Sequence, residues 1–215
     1  MHIKQFKGLF ITGSDTDIGK TYISCQLIDQ LRSAGITLTV RKPVESGCQK
    51  VNGELHPADG ALLHQHNNFA EDLVTVTPLR FEAALAPHRA ASLENASLLI
   101  SDLTKICRSE NFLLVEGAGG FLSPLANDGL NRDLALALGL PVVIVVDDRL
   151  GAVNQALLTI ESVLQSGLEI AFVVFNQSSA SIDSEINNIE DIQPYCDTPL
   201  FRCGYNKTLQ LIFTD

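Results

Sequence analysis

The sequence predicts an α/β protein: a three-layer parallel sheet with helices on both faces. Three observations carry this. Short apolar runs alternate with helix-patterned stretches from end to end, the runs are hydrophobic throughout instead of alternating with polar residues, and the first run passes through a loop straight into a helix. With 215 residues, 46% hydrophobic and 19% charged, the chain fits one domain over residues 1–215 and is neither disordered nor fibrous.

Gly8 to Thr12 is the first expected strand. Thr21 to Ala34 follows as a helix, with Ile23, Leu27, Ile28 and Leu31 on one face and Gly35 placed to cap it. Thr37 to Arg41 is the second strand, and the polar, glycine-bearing stretch Glu45 to His56 reads as a mobile loop over a site. Phe112 to Glu116, Val142 to Asp147 and Ala171 to Asn176 complete the strands. Leu134 to Leu138 ends a helix stopped by Gly139, and Val153 to Gln165 forms another that ends at Gly167. Asp183, Glu185, Glu190 and Asp191 suit a solvated helix face, and the tail beyond Pro194 carries no clear pattern.

Charge and cysteine usage narrow the function classes. Twenty-five acidic against fifteen basic residues leave a formal charge of −10, so a nucleic-acid backbone is not an expected partner. The longest apolar run, Leu134 to Val146, is broken by Gly139 and Pro141 and falls short of the roughly 20 residues a membrane span needs. Cys25, Cys48, Cys107, Cys196 and Cys203 form no C-x-x-C pair, and no signal peptide is visible, so a reducing cytoplasm with inert thiols is expected.

The chemistry concentrates in three places. Gly13-Ser14-Asp15-Thr16-Asp17-Ile18-Gly19-Lys20-Thr21 lies between a strand and a helix, where backbone N–H groups, the positive helix end and Lys20 suit phosphate, and Thr21 suits Mg²⁺. This is a phosphate loop one residue longer than G-x4-G-K-[ST], and it makes the expected sheet P-loop NTPase-like. An EF-hand reading fails for want of the sixth-position glycine and twelfth-position Glu. Glu116, ahead of Gly117-Ala118-Gly119-Gly120, ends a strand at the same sheet edge; it is either a Mg²⁺ carboxylate or a plain strand-terminating acid. Leu122 stands where G-x-G-x-x-G needs its last glycine, which disfavours a dinucleotide fold. Lys42 in Lys42-Pro43-Val44-Glu45-Ser46-Gly47 is either a second ammonium beside the phosphates or a solvated lysine. Asp59 is either a third metal group or a helix cap, and His64 and His66 read as solvated, not as a metal pair.

Together with Ala86-Pro87-His88 and Leu150-Gly151-Ala152-Val153-Asn154, these blocks resemble the dethiobiotin synthetase family in order and spacing. The resemblance implies an ATP- and Mg²⁺-dependent ligase: CO₂ adds to an amine of 7,8-diaminononanoate, ATP phosphorylates the carbamate, and the second amine closes the ring with loss of phosphate. It implies ATP contacts from Asp17, Ile18, Gly19, Lys20, Thr21, Tyr22, Asp59, Glu116, Gly117, Ala118, Gly119, Asn176 and Gln177, with Thr21, Asp59 and Glu116 on the metal. Lys42, Lys20 and Thr16 become the catalytic set. Thr16, Lys42, Ser46 and the segment Leu150, Gly151, Ala152, Val153 and Asn154 become substrate contacts, the last five reaching across a homodimer interface.

The chain departs from the family at Asp17, often Glu, at Arg149 and Gln155, and at Phe201-Arg202-Cys203-Gly204-Tyr205, which replaces the usual Gly-x-Ile-Pro base loop. A ParA-like switch ATPase is the alternative, but its usual early-loop lysine has no counterpart among Ser14, Asp15 and Thr16. The length argues against a cobyrinate-amidating enzyme, and scattered arginines argue against a nucleotide kinase. Lys42→Ala is expected to abolish turnover while leaving the fold and most ATP affinity intact, which steady-state kinetics beside equilibrium ATP binding would test.

Overall fold

The computed structural model describes residues 5–180 and 186–211. In chain order it contains β1 (Gly8–Gly13), α1 (Lys20–Ser33), β2 (Leu38–Arg41), β3 (Val44–Ser46), β4 (Gln49–Val51), β5 (Glu54–His56), α2 (Ala58–His66), α3 (Leu73–Val76), β6 (Leu79–Phe81), α4 (Pro87–Leu93) and α5 (Ile100–Ile106). It continues with β7 (Phe112–Gly120), β8 (Pro124–Ala126), β9 (Gly129–Leu130), α6 (Asn131–Leu138), β10 (Val142–Asp147), α7 (Ala152–Gln165), β11 (Ile170–Asn176), α8 (Asn188–Ile192) and β12 (Leu200–Cys203).

Six strands form one parallel sheet in the order β12-β11-β10-β1-β7-β2. Their apolar runs are continuous because both faces are covered. Leu9 and Ile11 of β1 pack with Ile23, Leu27, Ile28 and Leu31 of α1, whereas Phe10 turns to the other face with Leu134, Ala156 and Ile160 of α6 and α7. Each such side chain, removed fully from water, contributes about 2 kcal/mol. The three-layer α/β architecture is therefore the expected one, and all parallel strands present their carboxyl ends at one edge.

The expected strands and helices lie where they were read, with changes at the ends; the largest is in β7, which runs through Gly117-Ala118-Gly119 to Gly120 and so places Glu116 inside the strand instead of at its end. Ala34 is the C-cap of α1, and Gly35 sits one residue beyond it at φ 77°. Gly139 caps α6 at φ 62°. The tail adds a sixth strand, β12, an edge strand whose partly exposed Leu200, Phe201 and Arg202 leave no strong apolar signature. Glu190 and Asp191 are exposed on α8, while Asp183 and Glu185 lie outside the described residues.

Glu45–His56 is not the irregular loop the composition suggested. Val44–Ser46 pairs in parallel with β6, and β4 and β5 make a two-residue hairpin through Asn52 and Gly53, both at positive φ (53° and 89°). Asn-Gly is the preferred dipeptide for such a turn, because both central residues need the left-handed region. The polar, mostly exposed strand residues masked that signal. His64 and His66 face different partners, the ring of Phe69 at a centroid distance of 4.9 Å and Asp29 Oδ2 at 2.8 Å, so they form no metal pair.

All five cysteines are free, and four are buried. Burial pushes the thiols of Cys25 and Cys107 up to about 12 and that of Cys48 up to about 11. Thiolate supply and access together control alkylation. Iodoacetamide near pH 8 is therefore expected to modify the half-buried Cys196 well before the other four in the folded protein; peptide mass mapping that finds Cys107 labelled first would contradict this packing.

Candidate active site

The phosphate loop is built against the sheet. Ser14 N donates to Val145 O of β10 (3.0 Å), and Asn176 Nδ2 at the end of β11 donates to Ile18 O (2.9 Å). Gly19 takes φ 90° directly above that amide, where an added Cβ would stand 2.2 Å from Asn176 Nδ2. Only glycine satisfies both the left-handed backbone and the close approach. Asp17 is also left-handed, at φ 54°. Lys20 is buried, and its Nζ donates to Asp15 O at 2.7 Å, bridging the loop from its far end.

Beside the loop, three elements converge on one ammonium. Lys42, just past β2, is 4% exposed, which overturns the solvated-lysine alternative. Its Nζ donates to Glu116 Oε1 of β7 at 2.7 Å and to Asp59 Oδ2 of α2. Thr21 Oγ1, in the first turn of α1, donates to the same Glu116 Oε1 at 2.7 Å. Glu116 is fully buried and its Oε2 has no partner, so it is far more than a strand-terminating acid. Pro57, not Asp59, occupies the N-cap of α2; Asp59 stands in the first turn with its carboxylate turned to Lys42.

Burial disfavours the Lys42 ammonium, but Glu116 and then Asp59 and Glu45 outweigh it and hold its pKa above the usual lysine range. Burial pulls Lys20 below that range, with Glu116 opposing and Lys42 reinforcing the shift. Burial also works against the Asp59 carboxylate, yet Lys42 more than compensates and keeps its pKa below the ordinary value. Two neighbouring lysines are thus tuned apart, Lys42 upward by its carboxylates and Lys20 downward by burial.

A cavity of about 360 Å³ opens over this cluster, lined by Thr16, Asp17, Gly19, Lys20, Thr21, Lys42, Ser46, Asp59, Ala118 and Gly119, all read from the sequence, and by Glu45, which was not. Glu45 is buried, and its two carboxylate oxygens accept from Asp59 N (3.0 Å) and Gly60 N (2.9 Å), satisfying the first turn of α2. Burial raises its carboxyl above the usual range despite Lys42 and those two N–H groups. Its only sequence signal is an acid three residues after Lys42, since its partners lie 14 and 15 residues away.

A second cavity, about 200 Å³, lies on the other side of the loop between Tyr22, Asn176, Gln177, Ser178, Tyr205 and Asn206, with Asp17 and Gly19 at its inner end. Ile18 is a core side chain, and Gly117 is buried beneath the cavity floor. Leu150 to Asn154 lines neither cavity. Gly151, at φ 88°, is the N-cap of α7, and Leu150 is 80% exposed beyond the end of β10. Arg41 is structural, with its guanidinium bidentate on Glu71 at 2.7 and 2.8 Å.

A parallel sheet whose first strand feeds a phosphate loop and helix, with a buried carboxylate on the adjacent strand, defines a P-loop nucleotide-binding protein. Residues 7–203 match the family described as an AAA domain. Two solved structures, one described as the signal recognition particle receptor FtsY and the other as the cell division protein ftsY, share the fold. The one from Elizabethkingia anophelis has TM-score 0.50 and 12% identity, and the one from Thermotoga maritima TM-score 0.51 and 10% identity. Each is covered over 95% of this chain, which spans only 60% and 64% of their lengths.

Curated relatives are much closer in sequence. ATP-dependent dethiobiotin synthetases BioD from Ruthia magnifica and Vesicomyosocius okutanii are each 42% identical, over 89% and 88% of this chain and 88% and 86% of theirs. That of Anaeromyxobacter dehalogenans is 38% identical over 96% of this chain and 89% of its own. The chain belongs to the dethiobiotin synthetase family of ATP-dependent ligases.

The buried ion cluster changes one expectation. Lys42→Ala removes the counter-ion of a fully buried Glu116 and leaves Asp59 unpaired, so the fold is not indifferent to it. A loss of about 3 kcal/mol in chemical denaturation is expected; a midpoint equal to that of the unsubstituted protein would contradict the pairing.

Proposed function

We propose that this chain, acting as one domain, carboxylates 7,8-diaminononanoate with CO₂ and closes the ring to dethiobiotin, converting ATP to ADP and phosphate. The observation that carries this reading is the buried Lys42 ammonium at the junction of the phosphate loop, Glu116 and Asp59, with Thr16 and Ser46 on the same cavity wall. The BioD relatives act with ATP by name, and ATP use follows from them and from the loop.

One amine attacks CO₂ and loses a proton to give a carbamate. A carbamate oxygen attacks the γ-phosphorus and ADP departs. The second amine then attacks the carbamoyl carbon, phosphate leaves, and a proton is released. Lys42 offsets the negative charge of the carbamate and of its phosphorylated form, and Lys20 screens the repulsion between phosphate and an anionic oxygen. Thr16 and Ser46 orient the diamine and carbamate; Ser46 Oγ is itself fixed by donating to Leu85 O at 2.6 Å. Holding three reactants in one geometry matters most, because ring closure competes with decay of a labile anhydride.

Mg²⁺ fits the oxygen donors Thr21, Asp59 and Glu116, and the unpartnered Oε2 of Glu116 is the buried acceptor such an ion would satisfy. Among the described residues no group of three His, Cys, Asp or Glu side chains forms a metal cage, and Mg²⁺ bound through two carboxylates and substrate phosphates needs none. When bound, the ion neutralises charge on the transferring phosphoryl group. Asn176 and Gln177 take the base side of ATP. Leu150 to Asn154 lies outside the cavities of its own chain, in keeping with a homodimer in which the free N–H groups of α7 meet the partner's substrate carboxylate. No described helix is long and apolar enough to cross a membrane, and the unbridged thiols suit the cytoplasm.

ADP release should require diamine and bicarbonate together, falling at least about tenfold when either is omitted. A folded preparation that hydrolyses ATP at one rate with or without the diamine would overturn the assignment.

A further inference from the structure

The second cavity has a wall that lies beyond Cys203, the last residue of β12 paired with β11. After β12 the chain makes a tight turn, with Lys207 N donating to Gly204 O at 2.9 Å and Asn206 left-handed at φ 53°. Tyr205 and Asn206, the central residues of that turn, face Asn176 and Gln177 across the cavity. On the sheet side the described hydrogen bonds to the turn come from Gln177, whose N donates to Cys203 O (2.8 Å) and whose Oε1 accepts from Tyr205 N (3.3 Å), and from Cys203 Sγ, which donates to Lys207 O at 3.3 Å.

On the other side it is tied to α1. Tyr22 Oη donates to Lys207 O at 3.0 Å, and Gln26 Nε2 reaches the same carbonyl at 3.3 Å. Gln26 Oε1 accepts from Leu209 N, Gln30 Nε2 donates to Leu209 O at 2.8 Å, and Gln30 Oε1 accepts from Leu211 N at 3.2 Å. The helix residues are four apart and the tail residues two apart. Four helical residues rise about 6 Å and two extended residues about 6.6 Å, so the two repeats match. Toward the tail each glutamine amide uses one donor and one acceptor, as a peptide group in a neighbouring strand would. Leu209, 1% exposed, drives its side chain into the core between these bonds.

We propose that Gln26, supported by Gln30, is a positioning residue for the nucleobase: it clasps the tail to α1 and so holds the Gly204–Lys207 turn as the outer wall of the base site. This rests on the reading that ATP phosphates lie on the 13–21 loop. Because the Gln26 side chain makes no hydrogen bond to the 13–21 loop among the described residues, its loss weakens the hold on the base and leaves the hold on the phosphates.

The test compares two probes, a non-hydrolysable ATP analogue and inorganic tripolyphosphate, binding to the full chain with Mg²⁺ by calorimetry. Gln26→Met, which keeps length and burial, should weaken the analogue roughly tenfold. Tripolyphosphate affinity and kcat at saturating ATP should stay within about twofold of their original values. Gln30→Met, one turn farther from the cavity, should act in the same direction by about threefold, and it carries the test if Gln26→Met fails to fold. Unchanged analogue affinity, or equal weakening of both probes, would overturn the clasp. A chain that binds both probes as expected but releases no ADP with diamine and bicarbonate would sink the ligase assignment and leave this inference standing.

Discussion

Everything at the reaction end of this molecule depends on one buried ammonium. Lys42 Nζ joins the end of β2 to Glu116 of β7 and Asp59 of α2, three pieces of chain with no local sequence relation. A buried charge is tolerated only when it is paired, and here the pairing runs both ways: Glu116, at 0% exposure, meets Lys42 and the Thr21 hydroxyl. Glu45 extends the arrangement by holding the backbone that carries Asp59. The geometry is therefore set before any substrate enters, which is what electrostatic preorganisation requires.

Strand order then decides which chemistry lies where. β1 is central, β7 and β2 stand on one side of it, and β10 and β11 stand on the other. The loop leaving β1 is consequently flanked by two different cavities, one charged and lined from β2, β7 and α2, the other lined from β11 and the tail. Under the proposed function, ATP lies across the sheet edge with its base toward β11 and its γ-phosphate toward Lys42. No additional domain is needed to separate base recognition from chemistry, because the parallel sheet provides the separation through its carboxyl edge.

What could be read from residues alone follows from what is locally encoded. Continuous apolar runs revealed five of the six sheet strands, because burial on both faces leaves an unambiguous pattern; β12 escaped since an edge strand is half-solvated. The phosphate loop and the carboxylate after Val115 were legible as a strand-loop-helix context. The burial of Lys42 was not, since it depends on acids 17 and 74 residues away. The Asn52-Gly53 hairpin was a local signal hidden by polar composition. Glu45 and the glutamine clasp were invisible for a common reason: polar side chains that satisfy distant backbone groups carry no periodicity of their own.

α1 shows how these layers combine in one element. Its apolar stripe, Ile23, Leu27, Ile28 and Leu31, is the face that sequence periodicity detects, and it fixes the helix on the sheet. Its N-terminus carries Lys20 and Thr21 into the loop and the acid cluster. Its remaining face, Tyr22, Gln26 and Gln30, reads as ordinary solvated surface but holds the tail. Under the proposed function, base wall, phosphate cradle and the hydroxyl on Glu116 are thereby referenced to a single helix. A displacement of that helix shifts all three together, so their mutual spacing survives small motions of the rest of the molecule; a change on its polar face alters one spacing while sparing the others. Positional accuracy at the site is thus a property of one 14-residue helix, not of the loops that line the cavities.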